Sequence, residues 1–409
     1  LFFINVNLGL ITIGNELLNG TRLDTNSVWI GENVIPKGGK VVWRLSIGDE
    51  YEQIYNALNS IPKNINVIIT TGGLGPTHDD ITPKVLCDYF KTKLIFDEAY
   101  WKKLKSRFKQ MNKKISESNK SQALFPETSN VIDNPIGSAR GIHLTNQQFH
   151  LFALPGVPAE MKAIMKDSIL PWLGKHSNLS IHSHIIRTTG IMESSLFEKM
   201  KKYLDLNNEV EVAYLPRFTG VDIRLTSIDK KKLMNFVERI NLLIGKYVYA
   251  NSNTDIEKII ANILIDKKRS IAIAESCTGG LIADRITSVP GSSQYFFGGI
   301  IAYSNTVKHS ILNVQNKTLE KYGAVSEQTA MEMAIGVKNK LNADIGLSST
   351  GIAGPDGGTK NKPVGLIFIG IAINSTIMAF KYNLSNERVK NKLMASQAAL
   401  TLLHKHIKK

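Results

Sequence analysis

The segment SIAIAESCTGGLIADRIT, residues 270–287, decides the architecture of the carboxy-terminal part of this chain. An apolar run ends at the polar turn ESCTGG, residues 275–280, and an amphipathic stretch follows it. This order predicts a buried strand, a tight turn and a helix, which is the local pattern of an α/β sheet. Such a turn exposes its side chains at the carboxyl edge of the sheet, beside unpaired N–H groups of the helix. The segment can therefore present a nucleophile together with donors for an oxyanion.

Ser276 is the candidate nucleophile of this turn, and it needs a base because a serine hydroxyl is a poor nucleophile near neutral pH. Lys308 follows the next apolar run and is the candidate base, since a desolvated lysine can be neutral and accept a proton. Tyr303 and Asn305 precede it closely enough to help orient it. Thr278, from the turn itself, completes the catalytic candidates.

A third segment, GLSSTGIAGPDGGT, residues 346–359, again leads from a strand into a glycine-rich loop. Glycines allow a backbone to approach a phosphate or a carboxamide closely. The residues expected to contact substrate in this half of the chain are Gly279, Gly280, Asn305, Thr350, Gly351 and Gly354.

Each of these residues also has a purely structural interpretation. Ser276 or Thr278 can be a helix N-cap, Lys308 can be a solvated helix lysine, and the glycines can serve tight turns alone. Cys277 is a rival nucleophile on chemical grounds, because a helix amino terminus lowers the pKa of a thiol.

The alternation of apolar and amphipathic stretches extends outward from this segment. It predicts α/β units at both ends of the chain, with parallel strands and helices on the sheet faces. The strand-like runs are LGLITIG, KVVWRLSIG and INVIITTGG near the start, and SIAIAES, GGIIAYS, ADIGLSST and VGLIFIGIAI after residue 270. Between them, HSHIIRTTG, EVEVAYLPR and GVDIRLTSI, with helices near 193–204 and 230–245, predict a small α+β unit. Polar breaks place the domains at 1–172, 173–252 and 253–409.

The loop VIITTGGLGPTHDDITP, residues 67–83, is the second candidate site. Its glycines can admit an anion, and carboxylates can share a divalent cation with a phosphate, so a diphosphate-bearing ligand is expected. The alternative is a turn in which Asp79 or Asp80 caps the next helix.

The carboxy-terminal segments resemble the carboxy-terminal domain of the CinA family, whose stand-alone relatives are nicotinamide-nucleotide amidases. The matching segments are AESCTGGLIADRIT, PGSSQYFFGGIIAYSNTVKHSIL, YGAVSEQTA and STGIAGPDGGTKNKPVGLIFIGIA. The resemblance implies that Ser276 attacks nicotinamide mononucleotide with Lys308 as base, releasing ammonia and nicotinate mononucleotide without a cofactor. Where the family usually has Gly-Asp-Arg and then a second arginine, this chain has Asn386-Glu387-Arg388 and then Lys392. Arg388 is the expected phosphate contact.

The amino-terminal segments resemble the corresponding CinA domain, which shares the molybdopterin-binding three-layer α/β fold. The matching segments are ITIGNELLNG, TNSVWIGENV, VIITTGGLGPTHDDITP, SNKSQALFPETSNVIDNPIGSARG and LFALPGVPAEMKAI. The resemblance implies a metal-dependent ADP-ribose pyrophosphatase that uses Mg, Mn or Co. The implied metal ligands are Glu16, Asp49 and Asp80, with Asp80 favoured over Asp79, and the implied substrate contacts are Thr71, Gly72, Gly73, Gly75 and Asn119.

The middle segment resembles the KH-like domain of CinA. Gly190, Gly220 and Gly245 do not form the GxxG pair that an RNA-binding KH domain needs, so a spacer or a dimerisation element is expected. The family resemblance implies a homodimer.

Composition limits the remaining possibilities. The net charge of +15 comes from lysines scattered through every segment, which argues against a nucleic-acid partner. The opening run LFFINVNLGLITIG is too short to span a membrane and is expected to be a buried strand, and the two distant cysteines fit a reducing cytoplasm. Two hypotheses remain: a bifunctional enzyme of pyridine-nucleotide salvage, or a nonenzymatic nucleotide- or pterin-binding protein of the competence and DNA-damage response.

Overall fold

The computed structural model of the chain describes residues 6–177, 181–204 and 209–408. The chain folds as two compact units, Leu1–Ser183 with Ser227–Lys230, and His184–Thr226 with Lys231–Lys409. The predicted α/β class is confirmed, because helices flank mixed sheets at both ends of the chain. The predicted domain limits at residues 172 and 252 stay a prediction.

The first unit is built on a mixed sheet with the strand order β2-β1-β3-β8-β7-β6. Its described strands are β1 (Val6–Ile13), β2 (Gly39–Ile47), β3 (Val67–Thr71), β4 (Leu94–Phe96), β5 (Leu124–Pro126), β6 (Asn130–Ile132), β7 (Gly141–Thr145) and β8 (His150–Leu154). Its described α-helices are α1 (Asn15–Leu18), α2 (Thr25–Val34), α3 (Tyr51–Asn59), α4 (Thr82–Phe90), α5 (Glu98–Gln110), α6 (Pro158–Ile164) and α7 (Leu170–His176). The predicted opening strand is buried from Val6 onward, and its residues 1–5 lie outside the described part.

The prediction of a parallel sheet holds for part of this unit. β2, β1, β3 and β8 run parallel, whereas β6 and β7 are antiparallel to their neighbours. Apolar side chains on the two faces form separate cores, with Ile11 and Ile68 in one and Leu10 and Ile69 in the other. Because the parallel strands end at one edge, the loop after β3 lies beside the loops after β1 and β8.

The middle segment forms an antiparallel sheet with the order β10-β11-β9-β12. Its strands are β9 (His182–Thr188), β10 (Glu211–Arg217), β11 (Gly220–Ser227) and β12 (Val248–Ala250), and its helices are α8 (Glu193–Leu204) and α9 (Lys230–Ile244). These elements agree with the predicted strands and helices. The helices bury Leu196, Phe236 and Ile240 against the sheet residue Ile223.

The carboxy-terminal segment contains a mixed sheet with the order β14-β13-β15-β16-β17. Its strands are β13 (Ile271–Glu275), β14 (Phe296–Ile301), β15 (Ile345–Gly351), β16 (Leu366–Ile373) and β17 (Thr376–Asn383). Its helices are α10 (Ile256–Asp266), α11 (Leu281–Thr287), α12 (Asn305–Leu312), α13 (Asn316–Tyr322), α14 (Glu327–Lys340) and α15 (Arg388–Ile407). β14, β13 and β15 are parallel as predicted, but β16 and β17 are antiparallel.

Strand alternation explains how this sheet is covered on both faces. Ile271 and Ile273 face the core that contains residues of α10, α11 and α15, whereas Ala272 and Ala274 face the core that contains residues of α12 and α14. The carboxyl ends of β13, β14 and β15 therefore remain at one edge, and it is there that the polar turns follow. Among the described residues, no helix combines the length and apolar character that crossing a bilayer requires.

Candidate active site

Ser276 and Lys308 lie side by side at the carboxyl edge of the carboxy-terminal sheet. Ser276 follows the last residue of β13, and Lys308 lies in α12, shortly after β14. Because β13 and β14 are adjacent and parallel, the two segments leave the sheet together. Lys308 Nζ is 3.1 Å from Ser276 Oγ, and the two residues are only 1% and 7% exposed. The pair that the sequence predicted is thus brought into hydrogen-bond contact.

The amine of Lys308 is buried among oxygen atoms. Its Nζ donates to the carbonyl oxygens of Ala302, at 2.8 Å, and Tyr303, at 3.3 Å. No carboxylate forms an ion pair with it within residues 6–177, 181–204 and 209–408. Burial therefore lowers the pKa of Lys308 below its ordinary value of 10.5. In the structure Nζ also donates to Ser276 Oγ. Once deprotonated, the amine keeps two N–H groups for the two carbonyls and its lone pair can accept the Ser276 proton.

The helix amino terminus behind the serine is already occupied, which corrects one expectation. Its N–H groups were expected to be free for an oxyanion. Instead, the buried carboxylate of Glu275 accepts hydrogen bonds from the N–H groups of Gly280 at 2.9 Å, Ile282 at 3.1 Å and Ala283 at 2.8 Å. Glu275 was not among the predicted site residues, although its place six residues before the first residue of α11 is the available signal.

Two backbone donors remain at the turn. The N–H groups of Cys277 and Thr278 donate to no backbone carbonyl in the part of the chain that the structure describes, although the Cys277 N–H lies within reach of its own sulfur. The N–H of Ser276 donates to Ser349 O at 2.9 Å, and the N–H of Gly279 donates to Ser276 O at 3.2 Å. The donors without a carbonyl partner are therefore those of the two residues directly after the serine.

The Thr278 side chain is bonded within the fold, and its predicted catalytic role stays a prediction. Its Oγ1 is 2.6 Å from Ser349 Oγ, and both residues are completely buried. Ser349, at the end of β15, thus contacts the turn through its carbonyl and its hydroxyl. Ser349 was not predicted. Its neighbour Thr350 was predicted as a substrate contact, which stays a prediction; its Oγ1 donates to Ala324 O at 2.6 Å on the other side of the strand.

Burial overturns the argument for Cys277 as a reactive thiol. The helix amino terminus was expected to lower its pKa, but burial outweighs the lowering effect of the hydrogen bonds from Ser349 and the backbone and raises the pKa of the thiol to about 12. The thiol is also sequestered in the core beneath the turn. Ser276 is therefore the side chain of this turn that faces the base.

We expect both cysteines to resist alkylation in the folded chain. The pKa of Cys87 is raised to about 11 by burial, so neither thiol forms much thiolate at pH 8. Iodoacetamide at pH 8 should label the native chain slowly and the denatured chain at both cysteines, as intact-mass measurement would report. Rapid labelling of native Cys277 would contradict this prediction.

Basic and aromatic groups surround the entrance to the pair. Arg388 donates to Tyr303 Oη and to Gly354 O, each at 3.0 Å. Tyr303 is 61% exposed, so its ring lines the open side. A Cβ added to Gly279 would lie 3.7 Å from Lys392 Nζ, which places a second cation over the turn. Arg388 and Lys392 can therefore meet an anionic group close to Ser276.

The predicted glycines divide into two groups. Gly279 and Gly280 have φ values of +60° and +95°, and the nearest atoms to an added Cβ lie 3.4 Å or more away, so they combine a strained backbone with open space. At Gly351 a Cβ would lie 2.5 Å from Ile367 Cδ1, and at Gly354 it would lie 2.5 Å from Val364 Cγ1. These last two glycines are required by packing, as the structural interpretation held, and the substrate contacts proposed for them remain a prediction.

Asn391 was missed by the sequence analysis although it holds the glycine-rich loop to α15. This completely buried side chain donates to Ala353 O at 2.9 Å and to Ser385 O at 2.8 Å. Its Oδ1 accepts from the N–H and the hydroxyl of Ser385. The predicted Asn305 is the first residue of α12, directly after the N-cap Ser304.

In the first unit, the glycine loop takes the predicted position after β3. Gly72 and Gly73 have φ values of +115° and +69°, and a Cβ on Gly72 would lie 2.2 Å from Ile13 O. The buried Thr71 ends β3, and the Thr82 hydroxyl donates to Gly72 O. Only glycine fits this approach between the loop and the end of β1.

Acidic residues converge beside this loop. Burial, followed by the charges of Glu16, Asp79 and Asp80, raises the pKa of the Asp49 carboxyl, so these groups share one neighbourhood. Asp49 also accepts from the N–H of Asn15 at 2.9 Å. Within the described residues, however, no three His, Cys, Asp or Glu side chains are grouped so that they could hold a metal ion. The side chains as placed do not form a metal site, and the divalent cation stays a prediction.

The remaining candidates of this unit are engaged locally. Asp80 accepts from the N–H and the hydroxyl of Thr77, and a Cβ on Gly75 would lie 2.5 Å from its carboxylate. Asn119 forms a capping box with Ser116 in a short 3₁₀ helix. Its role as a substrate contact stays a prediction.

Known proteins resemble the whole chain in the same order of parts. Residues 9–175 match a probable molybdopterin binding domain, residues 183–250 match the damage-inducible protein CinA KH domain, and residues 253–407 match the CinA C-terminal domain. A competence-damage inducible protein of Halothermothrix orenii is 40% identical over 406 residues, which cover 98% of each chain. One of Clostridium beijerinckii is 38% identical over 402 residues, covering 97% of this chain and 98% of the relative.

Solved structures are similar over part of the chain. The competence/damage-inducible protein of Agrobacterium tumefaciens is 34% identical, covering 38% of this chain and 97% of that one, with a TM-score of 0.37. CinA of Thermoplasma acidophilum is 30% identical, and the match covers 39% of this chain and 94% of that one, with a TM-score of 0.36. Identity along nearly the full length, with the three matched domains in order, shows that the chain belongs to the CinA family of competence- and damage-inducible proteins.

Proposed function

We propose that the carboxy-terminal domain hydrolyses the carboxamide of nicotinamide mononucleotide to nicotinate mononucleotide and ammonia. The observation that carries this proposal is the 3.1 Å contact between Lys308 Nζ and Ser276 Oγ at the sheet edge. A serine beside a desolvated lysine is an activated nucleophile, and acyl transfer is the chemistry such a pair performs. The proposed substrate comes from the family resemblance.

Acylation begins when Ser276 Oγ attacks the carboxamide carbon while its proton passes to Lys308 Nζ. The developing oxyanion is held by the N–H groups of Cys277 and Thr278, which are the donors of the turn without a carbonyl partner among the described residues. The lysine then returns its proton to the amide nitrogen as the C–N bond breaks. Ammonia leaves, and an ester joins the nicotinoyl carbon to Ser276.

Deacylation repeats these steps with water as the nucleophile. Lys308 takes a proton from the attacking water, the ester C–O bond breaks, and the Ser276 oxygen recovers the proton. Nicotinate mononucleotide then leaves with its new carboxylate. Removing one oxyanion donor typically costs about 3 kcal/mol of barrier in acyl-transfer sites.

Arg388 and Lys392 are the proposed contacts for the 5′-phosphate. Arg388 is held by Tyr303 Oη and Gly354 O, and Lys392 Nζ lies over Gly279. Arginine can bind a phosphate through two parallel hydrogen bonds, whereas lysine acts as a point charge. The usual second arginine of the family is thus replaced by a group that keeps the charge.

A product assay tests the proposal against the nonenzymatic alternative. The full chain is incubated with nicotinamide mononucleotide, ammonia is quantified, and the pyridine products are identified by mass. Formation of nicotinate mononucleotide with an equal amount of ammonia supports the amidase. Tight binding of the nucleotide without turnover would favour a nucleotide-sensing protein of the competence and damage response.

The pH dependence of the reaction should report the buried amine. Because only neutral Lys308 can accept the serine proton, kcat/KM should rise with pH and level off at an apparent pKa below 10.5, the direction in which burial moves it. Below the plateau the slope should approach one decade per pH unit. Lys308→Arg, which stays protonated, should show no such rise, and a rate that increases as the pH falls would contradict the assignment.

We further propose that the amino-terminal domain hydrolyses ADP-ribose at its diphosphate. Support comes from the glycine loop Gly72-Gly73 and from the acidic neighbourhood of Asp49. Among the described residues these carboxylates do not group into a metal site. Mass analysis after incubation with ADP-ribose and Mn²⁺ should show AMP and ribose 5-phosphate. Pterin binding with inertness toward ADP-ribose would instead indicate molybdopterin handling.

A further inference from the structure

We infer that a hairpin of the middle domain, β10–β11, holds the first turn of α15 in place for the amidase site, so that this domain tunes binding of the substrate phosphate. The inference concerns the proposed amidase function and rests on it for its kinetic readout. It gives the middle domain a role other than that of a spacer.

The contact is made by an aromatic residue at the tip of the hairpin. The strands pair down to Arg217 opposite Gly220, which leaves Phe218 and Thr219 as the turn. Phe218 is 63% exposed, yet its ring lies 5.5 Å from Lys390 Nζ on α15. An aromatic face attracts an ammonium group at this distance.

The position of Lys390 in the helix explains how the contact could matter for the site. Arg388 and Lys392 are four residues apart and share one face of α15, which is turned toward Tyr303 and Gly279. Lys390 lies two residues from each, so at about 100° per residue it projects from the opposite face. The Phe218 ring therefore meets the ammonium group of a residue on the back of the helical turn whose front carries the two proposed phosphate contacts.

Asn391 anchors this turn to Ala353 and Ser385, but the charges of its neighbours do not favour a helix start. The N-cap Glu387 makes no side-chain hydrogen bond to the helix, and the first turn contains no acidic residue. The basic residues at 388, 390 and 392 instead place positive charge at the positive end of the helix dipole, which is unfavourable. The ring of Phe218 partly offsets the charge of Lys390.

A chain of charged groups fixes the hairpin tip. Buried Asp222 on β11 pairs with Arg217 at 2.9 Å and lies 3.9 Å from Arg187 on β9. Arg187 in turn donates to Asp255, the N-cap of α10, and to Asn253 in the linker. The tip is thus tied to the junction with the carboxy-terminal domain, and it is not a free loop.

The kinetic test compares substrates with and without the phosphate. Phe218→Ala should raise KM for nicotinamide mononucleotide about two- to fivefold, the worth of one exposed cation–π contact, with kcat unchanged. KM and kcat for nicotinamide riboside, which lacks the phosphate, should not change. Phe218→Trp should restore KM to its value in the unaltered chain. The matched control is Leu242→Ala, which changes an 88% exposed residue of the same domain. Equal losses with both substrates would overturn the inference.

A double-mutant cycle and a structural readout complete the test. If Phe218 acts through Lys390, then Lys390→Met should abolish the effect of adding Phe218→Ala. Hydrogen exchange of residues 386–392 should be faster in Phe218→Ala than in the unaltered chain, a readout independent of turnover. An unaltered chain without ammonia release would refute the amidase alone, whereas unchanged exchange and unchanged KM in Phe218→Ala would refute the hairpin's role.

Discussion

Ser276→Ala is expected to abolish ammonia release from nicotinamide mononucleotide, with a fall in rate of at least about 10³-fold. The variant removes the atom that forms the acyl bond, so only binding and the oxyanion donors would remain. Lys308→Met should produce a loss of similar size, because the serine then has no group within reach to take its proton. The rates are measured as ammonia released by the purified full-length chain.

Two controls separate chemistry from folding. The one side-chain partner of the Ser276 hydroxyl among the described residues is Lys308, so Ser276→Ala should leave the melting temperature nearly unchanged. Cys277→Ala should keep most of the activity, because the thiol is buried and protonated. If Ser276→Ala remained active while Cys277→Ala were inactive, the serine mechanism would be wrong.

The paired groups of this site could be predicted from the sequence because both lie just after strands. Consecutive parallel strands tend to be neighbours, and their carboxyl ends share an edge, so Ser276 and Lys308 had to approach each other. What local pattern does not reveal is which way a side chain turns at the end of a strand. A shift of one residue reverses its direction, so the contact of Ser349 with the serine turn was not predicted, while its neighbour Thr350 points to Ala324.

The antiparallel parts of both sheets were missed for an identifiable reason. An apolar run such as that of β16 has the same pattern whether its neighbour is parallel or antiparallel. The turn between β16 and β17 did carry a sequence signal, which is its residue Asn374. This asparagine occupies the left-handed region at φ +52°, as two-residue hairpins require. The contact between Phe218 and Lys390 had no such signal, since it joins segments far apart in the chain.

Glu275 illustrates how a structural residue can determine a catalytic geometry. Its carboxylate occupies the N–H groups that a helix amino terminus would otherwise offer to an anion. The donors for an oxyanion are thereby limited to Cys277 and Thr278, one residue and two residues after the nucleophile. Glu275 also fixes the start of α11 relative to β13, because it is the last residue of that strand.

Glu275→Gln is therefore expected to lower both stability and activity. Hydrogen bonds to a charged group contribute about 1.5–3 kcal/mol each, and an amide would place N–H groups against buried N–H donors. A net loss of about 3 kcal/mol would lower the melting temperature of the carboxy-terminal part by about 6–12 °C. Asp284→Asn, an exposed acid-to-amide change in the first turn of the same helix, should alter it by less than about 2 °C. Equal melting temperatures for the two variants would show that the carboxylate does not hold the turn.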